Sequence, residues 1–343
     1  MCMRFNLFRV LLVILICVLV GPILLTLGWS MWGRPQESTQ AIQSILVYVE
    51  GEGLTEMDLE EYIKGVVAAE MPAYFELEAL KAQAVAARTY AVRKIRAYGG
   101  PGCTEHPGAD ICTDFRHGQA WISFADLKSK YSFFTNLRIL AKIDKAVEET
   151  KGVVATYGGK PIDAIYHANS GGITEDSEKV WGNYIPYLRS VKTDLPGTQR
   201  GLDQKTISLS DLAGLLGTQL NPTSLGHARQ LVPGEIITVS ASQQNMGLTV
   251  LERSWTGRVV SLSLEGQRIR GIDFRSLLGL KSTNFTWHVE GNQVTFVTVG
   301  NGHGVGMCQY GANALAQSGK GYREILTHFY TGINLESLAD LRF

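Results

Sequence analysis

Apolar positions in the first third of the chain recur at helical spacing and lead to a carboxyl group. From Leu59 to Val66 they fall three or four residues apart, which predicts an amphipathic helix over residues 57–70. The next position of this series is Glu70, and Pro72 ends the helix close by. Burial and the negative end of the helix dipole both disfavour an ionised carboxylate. The pattern therefore predicts that Glu70 holds its proton more tightly than an ordinary glutamate and can act as a general acid.

A buried glutamate that is neutralised by an arginine is the alternative interpretation. Arg88 lies on a second predicted helix, residues 77–98, whose apolar stripe is rich in alanine. A tight pair between Arg88 and Glu70 would lower the pKa of the carboxyl group and oppose an acid role. We therefore expect Arg88 to bind substrate or to stabilise the fold.

The remaining pattern mixes helices with short strands, which favours the α+β class over a regular βαβ series. A third helix is expected at about residues 138–150, a small one at 208–220, and a helical end at 311–330. Strands are expected at residues 44–50, 153–157, 162–167, 236–240, 248–253, 258–264 and 294–299.

The N-terminal segment has a different character from the rest of the chain. An uncharged run covers residues 10–32 and follows two arginines, which predicts a short cytoplasmic stub and a single transmembrane signal anchor within residues 1–32. A cleaved signal peptide is the alternative. Residues 33–44 are expected to form a linker to an extracytoplasmic body at 45–335, with a β-rich subdomain at about 200–300 and a tail at 336–343.

Charge and cysteine content exclude some classes of function. Lysine plus arginine and aspartate plus glutamate are equal at 32 each, so the composition gives no electrostatic case for a nucleic-acid partner. Five cysteines are too few for a disulfide scaffold. However, Cys103, His106, Cys112 and His117 fall within 15 residues, and thiolates and imidazoles are the ligands that zinc prefers. A metal-free loop and a Cys103–Cys112 disulfide are the alternatives.

Four stretches together resemble one known family. The first is Glu70-Met-Pro with residues 78–90, and the others are YHANSGGITE at 166–175, RSLLGLKSTNF at 275–285 and GHGVGMCQYGA at 302–312. In this order they are similar to the stage II sporulation protein D family, the peptidoglycan lytic transglycosylases of endospore-forming bacteria. The resemblance covers about residues 45–335 and includes the N-terminal anchor.

The resemblance implies an activity and partners. Members of the family cleave the β-1,4 bond between N-acetylmuramic acid and N-acetylglucosamine in glycan strands stripped of stem peptides, and leave 1,6-anhydromuramic ends. They work with a partner amidase/endopeptidase in the membrane machinery that engulfs the forespore, at the septum between mother cell and forespore. Glu70 matches the family's catalytic glutamate. Related proteins enhance N-acetylmuramoyl-L-alanine amidases, which makes a non-catalytic, glycan-binding enhancer the alternative function.

One carboxyl group suffices for such a reaction, because the 6-hydroxyl of the sugar is the nucleophile. A second carboxylate, for which Asp114 and Glu175 are the candidates, would indicate hydrolysis instead. The expected substrate-binding residues are Arg88, Tyr166, Ser170, Gly171, His303 and Gln309. Core packing is the alternative for Tyr166 and for two other aromatic residues, Trp181 and Tyr187.

No cofactor is expected to be required for the reaction. The resemblance implies a structural zinc held by His106, Cys112 and His117 with a further cysteine after the second histidine. This chain has Gly118 at that position, and Cys103 is the expected substitute. Cys308 stands where the family often has serine.

Overall fold

The helix that carries Glu70 begins at a side-chain cap. In the computed structural model, which describes residues 44–130, 133–193, 201–217 and 247–342, Asp58 accepts hydrogen bonds from the backbone N–H groups of Glu60 and Glu61 at 2.8 and 3.1 Å. These bonds satisfy two of the donors that every helix leaves unpaired at its first turn. The helix ends at Glu70, and Met71 already has extended backbone, as expected for a residue before a proline.

Nine α-helices and fourteen strands are found in the described ranges. The helices are α1 (Leu59–Glu70), α2 (Leu77–Lys94), α3 (Phe124–Lys130), α4 (Phe133–Glu148), α5 (Ser177–Trp181), α6 (Leu209–Leu216), α7 (Gly271–Leu278), α8 (Gln309–Gln317) and α9 (Tyr322–Phe329). The strands are β1 (Ser44–Val49), β2 (Gly53–Asp58), β3 (Ile111–Cys112), β4 (Val153–Tyr157), β5 (Lys160–Pro161), β6 (Tyr166–His167), β7 (Leu202–Ser208), β8 (Leu248–Arg253), β9 (Val259–Leu264), β10 (Gln267–Arg270), β11 (Phe285–Glu290), β12 (Gln293–Val299), β13 (Met307–Cys308) and β14 (Asn334–Ser337). Two short 3₁₀ helices, Arg96–Tyr98 and Leu338–Asp340, complete the list.

Helix α2 lies at the centre of the helical part of the molecule. It packs against α1, α4, α8, α9 and strand β4, and most of its residues from Ala79 to Val92 are buried. Six of these are alanines, whose small side chains allow neighbouring helices to approach closely. A helix buried on nearly every side brings elements from both ends of the chain together.

The strands form small, separate sheets. Strand β1 pairs antiparallel with β2 and parallel with β3, and β4 lies between β14 and β5. The parallel pair β6–β13 joins Tyr166 to Met307 and His167 to Cys308. This short pairing matters for function because it places the start of α8 beside β6.

A second hydrophobic cluster lies between the two remaining sheets, β11–β12–β7 and β10–β9–β8, and helices α6 and α7. Its large residues include Phe274, Phe285, Trp287 and Phe296, whose rings contact one another at centroid distances of 5.5–6.3 Å.

The mixed α+β composition agrees with the predicted class, and several elements differ from their predicted bounds. The predicted strand at residues 162–167 is replaced by the short strands β5 and β6, and the predicted helix at 311–330 is interrupted near Gly319, whose φ of +91° is incompatible with a continuing helix. The predicted strand at 236–240 lies outside the described residues.

The predicted membrane segment requires a correction. None of the helices in the described ranges is both long enough and apolar enough to cross a bilayer, and the predicted anchor within residues 1–32 lies outside those ranges. The finding does not support the single transmembrane helix in the predicted fold class, or the single-pass membrane localisation that followed from it.

Candidate active site

Glu70 lies where three parts of the chain meet. One carboxylate oxygen, Oε2, accepts a hydrogen bond from the side-chain amide of Gln309 at 3.2 Å. The other, Oε1, accepts from the backbone N–H of Ala120 at 3.3 Å. Both donors are neutral, and among the described residues no salt bridge within 4.0 Å includes Glu70.

Burial raises the pKa of Glu70 above the ordinary value for a glutamate. The hydrogen bonds from Gln309 and from the Ala120 backbone oppose that rise, because they stabilise the ionised form, but they do not cancel it. The negative end of helix α1 disfavours the ionised form as well, since Glu70 occupies its last turn. The geometry is therefore that of a carboxyl group that holds its proton to a higher pH than an ordinary glutamate does.

The backbone donor at Ala120 is positioned by a glycine in the middle of α1. A Cβ atom at Gly65 would meet the indole of Trp121 at 2.1 Å, so only glycine allows this indole to lie against the helix. The backbone N–H of Ile122 also donates to the Gly65 carbonyl at 3.3 Å. These contacts hold residues 119–122 against α1, beside Glu70.

Two further glutamines form hydrogen bonds with groups around this site. The Gln309 amide that donates to Glu70 also lies 3.4 Å from the carbonyl oxygen of Gln83, which is fully buried on α2. Gln119 accepts from the Tyr62 hydroxyl at 3.2 Å and donates to the Tyr166 hydroxyl at 2.8 Å.

Tyr166 and Glu70 are both bound by the segment at residues 119–120, since Gln119 donates to the Tyr166 hydroxyl and the backbone of Ala120 donates to Glu70. We call this set of groups the Glu70 network. Burial, and then the nearby Glu70 charge, raise the pKa of Tyr166 well above its ordinary value. Its hydroxyl therefore stays protonated. The residue as a whole is partly exposed, which is compatible with the predicted contact to substrate.

Arg88 is held away from this network. Its guanidinium is fully buried and forms a two-pronged pair with Glu60, with Nη2–Oε2 and Nε–Oε1 distances of 2.5 and 2.9 Å. Its Nη1 donates to the Val153 carbonyl at 3.1 Å. These contacts join α1, α2 and β4, and of the two roles expected for Arg88 they favour the structural one.

Ser170 is buried and Gly171 is partly buried. The Ser170 side chain is buried and hydrogen-bonds to Thr193, and its carbonyl accepts from Arg258 at 2.6 Å. Gly171 has a φ of +77°, and a Cβ there would meet Val299 at 2.8 Å. In this structure the pair shapes the backbone beside the site.

Cys308 caps helix α8, which begins with Gln309. The sulfur accepts from the backbone N–H of Gly311 and from that of Ser170, both at 3.3 Å. Burial raises the pKa of the Cys308 thiol, so it stays neutral and accepts these bonds in the way that a serine hydroxyl would. This cap fixes the direction of α8 and hence the position of Gln309.

His303 has both ring nitrogens engaged by backbone. Nδ1 accepts from the Val305 N–H at 3.1 Å, so Nε2 carries the proton and donates to the Tyr166 carbonyl at 3.0 Å. Burial lowers the pKa of His303 to about 4, and the ring stays neutral at physiological pH. Because both nitrogens are engaged, the predicted contact of His303 with glycan is left to the face of the ring. This ring lies 5.3 Å from the ring of Trp181.

The two candidate second carboxylates make their contacts elsewhere. Asp114 pairs with the Arg116 guanidinium, whose hydrogen bonds hold the pKa of this carboxyl well below its usual range. Glu175 is fully buried and accepts from Ser254 and Thr256. In the part of the chain that the structure describes, neither forms a hydrogen bond with a group of the Glu70 network.

Three of the four predicted metal ligands come together. One ligand atom each from Cys103, Cys112 and His117 lie within 4.8 Å of one another, and Cys112 Sγ is 2.9 Å from His117 Nδ1. The other ring nitrogen of His117 faces Asp114 at 3.4 Å, an arrangement that orients histidine ligands in zinc sites. Cys103 and Cys112 are free thiols rather than a disulfide. The donor set therefore fits zinc.

His106 and Gly118 complete the description of this cluster. The His106 ring is stacked on Tyr48 at a centroid distance of 3.7 Å and lies 5.7 Å from the His117 ring, so it is adjacent to the three ligands. A Cβ at Gly118 would lie 2.0 Å from the Cys112 carbonyl oxygen. A cysteine at position 118 would therefore require a different backbone, and Cys103 supplies the second sulfur here.

Sequence reasoning does not single out Gln83, Gln119 or Glu60, although each contacts a predicted site residue. Gln83 leaves a signal in retrospect, since it is a polar residue on a helix whose other buried positions are mostly alanine and valine. Gln119 and Glu60 leave none, because their partners are distant in sequence.

Sequence comparisons find relatives that share most of the chain. The family model described as stage II sporulation protein matches residues 51–157. A stage II sporulation protein D from Bacillus amyloliquefaciens is 36% identical over 280 residues, which is 81% of this chain and 74% of that protein. Its namesake from Bacillus subtilis (strain 168) is 36% identical over 297 residues, or 85% and 78%. An amidase enhancer from the same strain is 31% identical over 310 residues, or 80% of this chain and 40% of that protein.

Proposed function

Because the chain belongs to the stage II sporulation protein D family, we propose that it is a peptidoglycan lytic transglycosylase of forespore engulfment. Its substrate is the β-1,4 bond between N-acetylmuramic acid and N-acetylglucosamine in peptide-stripped glycan strands. Glu70 is the acid and then the base of this reaction.

The setting of Glu70 is the observation that supports this proposal. Among the described residues its carboxyl group is bound only through the neutral donors of Gln309 and Ala120, and burial raises its pKa. The arginine that would otherwise neutralise it, Arg88, is paired with Glu60. A glycan-binding module has no need of a carboxyl group kept protonatable in this way.

One carboxyl group can carry out both halves of the reaction. Protonated Glu70 gives its proton to the glycosidic oxygen as the bond from C1 of the muramic residue to that oxygen breaks. The 6-hydroxyl oxygen of the same residue then bonds to C1, and its proton passes to the Glu70 carboxylate. The 1,6-anhydro ring closes, the acid is regenerated, and neither water nor a cofactor is consumed.

The test compares the wild type with Glu70→Gln on peptide-free glycan strands, with the products analysed by mass spectrometry. We expect anhydro ends from the wild type and a loss of at least a hundredfold in rate in the variant, because general acid catalysis contributes about 10²–10⁴. Glu61→Gln is the matched control, since Glu61 is an exposed glutamate on the same helix and should keep full activity.

Other products would change the conclusion. Reducing ends from the wild type would mean that water attacks C1 and that a second carboxylate takes part. Equal cleavage by the wild type and Glu70→Gln would remove Glu70 from the chemistry.

A non-catalytic enhancer of a partner amidase is the second candidate function. The 31% identical relative named amidase enhancer favours it. In that case neither the wild type nor Glu70→Gln would cleave strands. Both would accelerate an N-acetylmuramoyl-L-alanine amidase added to intact peptidoglycan. Glu70→Gln thus distinguishes the two functions, because it should abolish strand cleavage but leave an enhancer working.

We also propose that Cys103, Cys112 and His117 hold a structural zinc ion, with His106 adjacent. Mass spectrometry of the metal content should give one zinc per chain in protein prepared without chelator. Cys103→Ser should lower this content and the melting temperature together, because bound metal stabilises the folded state. Metal-free protein with an unchanged melting temperature after chelation would contradict the proposal.

A further inference from the structure

Three exposed aromatic residues lie around the short helix α5. Trp181 at the end of this helix is 40% exposed, Tyr184 shortly after it is 67% exposed, and Trp255 in the turn between β8 and β9 is 50% exposed. Trp255 contacts α5 because its Nε1 donates at 3.4 Å to Asp176, the N-cap residue of the helix. No other tryptophan in the described ranges is exposed. Large exposed apolar groups that lie near one another mark binding surfaces.

The turn that carries Trp255 holds the indole outward. The residues on either side of it, Ser254 and Thr256, are buried, and both donate to the carboxylate of the fully buried Glu175. Gly257 closes the turn with a φ of +91°, and its N–H donates to the Ser254 carbonyl at 2.9 Å. The turn is thus anchored through the neighbours of Trp255, while the tryptophan itself faces solvent. A ring that is already held in place loses little entropy when a ligand covers it.

Charged groups connect Trp255 to Tyr184. The Arg189 guanidinium lies over the Tyr184 ring at 4.3 Å, and it is bound by Glu178 at 2.6 Å and approached by Asp176 at 3.6 Å. Asp176 in turn accepts from the Trp255 indole. These contacts cover one face of Tyr184 and leave the rest of the ring open to solvent. We call the three exposed aromatic residues, together with these three charged ones, the aromatic surface.

Aromatic rings beside carboxylates suit a sugar. The C–H face of a pyranose ring is apolar and packs on an aromatic ring, while its hydroxyl groups donate to carboxylate oxygens. Asp176 and Glu178 can accept such bonds in addition to their present contacts, because each carboxylate offers about four lone-pair sites. The aromatic surface holds two carboxylates against the single guanidinium of Arg189, so it favours a neutral sugar over an anionic one.

Trp181 connects the aromatic surface to the candidate active site. Its ring lies 5.3 Å from the ring of His303, which donates to the backbone of Tyr166. Tyr166 belongs to the Glu70 network, so only a few side chains separate α5 from the reacting carboxyl group. A strand of several sugars that is bound at Glu70 can therefore extend to the aromatic surface.

We propose that the aromatic surface is a second glycan-binding site, which holds neutral hexosamine units away from the bond that is broken. Faces of the sugar rings lie on Trp255 and Tyr184, and sugar hydroxyl groups donate to Asp176 and Glu178. The proposal rests on the proposed function for the assumption that the natural ligand is a glycan strand. A strand that contacts both Glu70 and the aromatic surface is bound more tightly than a short one, because its second contact forms at a high effective concentration.

The test is isothermal titration of the full chain with β-1,4-linked oligomers of N-acetylglucosamine. These oligomers are neutral, so their binding does not depend on an anionic group. The disaccharide is too short to contact both sites at once, whereas the hexasaccharide can do so. We therefore expect the hexasaccharide to bind at least tenfold more tightly than the disaccharide.

Substitutions locate the added affinity at the aromatic surface. Trp255→Ala and Tyr184→Ala should each weaken binding of the hexasaccharide at least fivefold, because each removes an aromatic face. Trp255→Phe keeps such a face but loses the N–H group that bonds to Asp176, and should retain most of the affinity. Tyr157→Ala is the matched control, since Tyr157 is an exposed tyrosine on β4, outside both sites. All four variants change exposed residues, and an unchanged melting temperature shows that each is folded.

The outcomes separate this site from the proposed reaction. Equal affinity for the two oligomers, hexasaccharide binding that Trp255→Ala leaves unchanged, or an equal loss in Tyr157→Ala would each overturn the proposal. Binding of a partner amidase in place of the oligomers, if it is lost in Trp255→Ala, would make the surface a protein contact and overturn the proposal as well. Strand cleavage with anhydro ends alongside any of these results would leave the transglycosylase intact. Hexasaccharide binding that depends on Trp255, without strand cleavage, would support the site and count against the reaction.

Discussion

The two ends of helix α1 hold the same residue type in opposite settings. Glu60, in the first turn, is paired with a fully buried guanidinium and lies at the positive end of the helix dipole. Glu70, in the last turn, has only neutral donors within the described ranges and lies at the negative end. The carboxyl group thus has a charged partner at the first end of the helix, whereas at the last end burial raises the pKa of Glu70.

This difference separates stability from chemistry. The pair of Glu60 with Arg88 ties α1 to α2, and the Val153 carbonyl adds β4 to the same contact. It also engages Arg88, which could otherwise pair with Glu70 and lower the pKa of that carboxyl group. The same ion pair therefore stabilises the fold and leaves Glu70 with neutral hydrogen-bond donors among the described residues.

Breaking the Glu60–Arg88 ion pair should have the largest effect, a loss of stability. Glu60→Gln leaves the Arg88 guanidinium buried without a counter-charge, and we expect a loss of roughly 3–5 kcal/mol in the free energy of unfolding. Chemical denaturation measures this loss. Glu61→Gln, one position along and exposed, should change stability by less than about 0.5 kcal/mol. A similar small change for both variants would mean that the pair contributes little.

Adding a cation to the other end should make Glu70 resemble Glu60. In Gln309→Lys an ammonium replaces the neutral donor, and a nearby opposite charge lowers a carboxyl pKa by about 1–3 units. The upper limb of the pH–rate profile should move to lower pH, and activity at neutral pH should fall at least tenfold.

Gln309→Met is the control with the opposite sign. It removes a hydrogen bond that favours the ionised form, so the upper limb should move to higher pH. If the two substitutions merely damaged the site, the rate would fall in both variants, and the upper limbs of their pH–rate profiles would not shift in opposite directions.

The effect of Glu70→Gln on stability should depend on pH. Relative to the wild type, the variant should become more stable as the pH rises. Burial raises the pKa of Glu70 in the folded state, so its favourable contribution is complete below the ordinary glutamate pKa and is lost as pH rises through the raised value. The variant does not ionise. The melting temperature of the variant relative to the wild type should therefore increase between pH 4 and pH 8. The corresponding change in the free energy of unfolding should be smaller than the loss expected for Glu60→Gln. A constant difference across that range would contradict the raised pKa.

Gln83→Met should give the smallest effect. It removes the carbonyl that holds the Gln309 amide at 3.4 Å, so the bond from Gln309 to Glu70 becomes less well fixed. We expect a shift of the upper limb to higher pH that is smaller than in Gln309→Met. Stability should change little, because the Gln83 Nε2 group is buried without a hydrogen-bond partner among the described residues. A shift to lower pH would show that Gln83 acts on Glu70 by another route.

The sequence predicts more about the helices than about the strands. The spacing of apolar residues places Glu70 in the last turn of a helix, and the structure has that helix at Leu59–Glu70. Strands β6 and β13, which bring Tyr166 and Gln309 together, are two residues long each. A segment of two residues has no periodicity to detect, so their pairing is visible only after folding.

The partners of the predicted site residues show the same limit. The sequence identifies Arg88 and Glu70 as charged groups on buried helix faces, but the partner of Arg88 is Glu60. Similarly, four residues of one loop suggest a zinc site, while the side-chain positions gather Cys103, Cys112 and His117 and leave His106 stacked on Tyr48.

By itself, the sequence determines the local properties of this protein: the apolar face that carries Glu70, the helix end after it, the cluster of zinc-type ligands and the family to which the chain belongs. The tertiary structure alone decides which groups surround each of these residues. Gln309, for example, reaches Glu70 across 239 positions. The physical reason is that helical spacing follows from bonds within one segment, whereas the pKa of a buried carboxyl group depends on its neighbours in space, which the packing of the whole chain brings together.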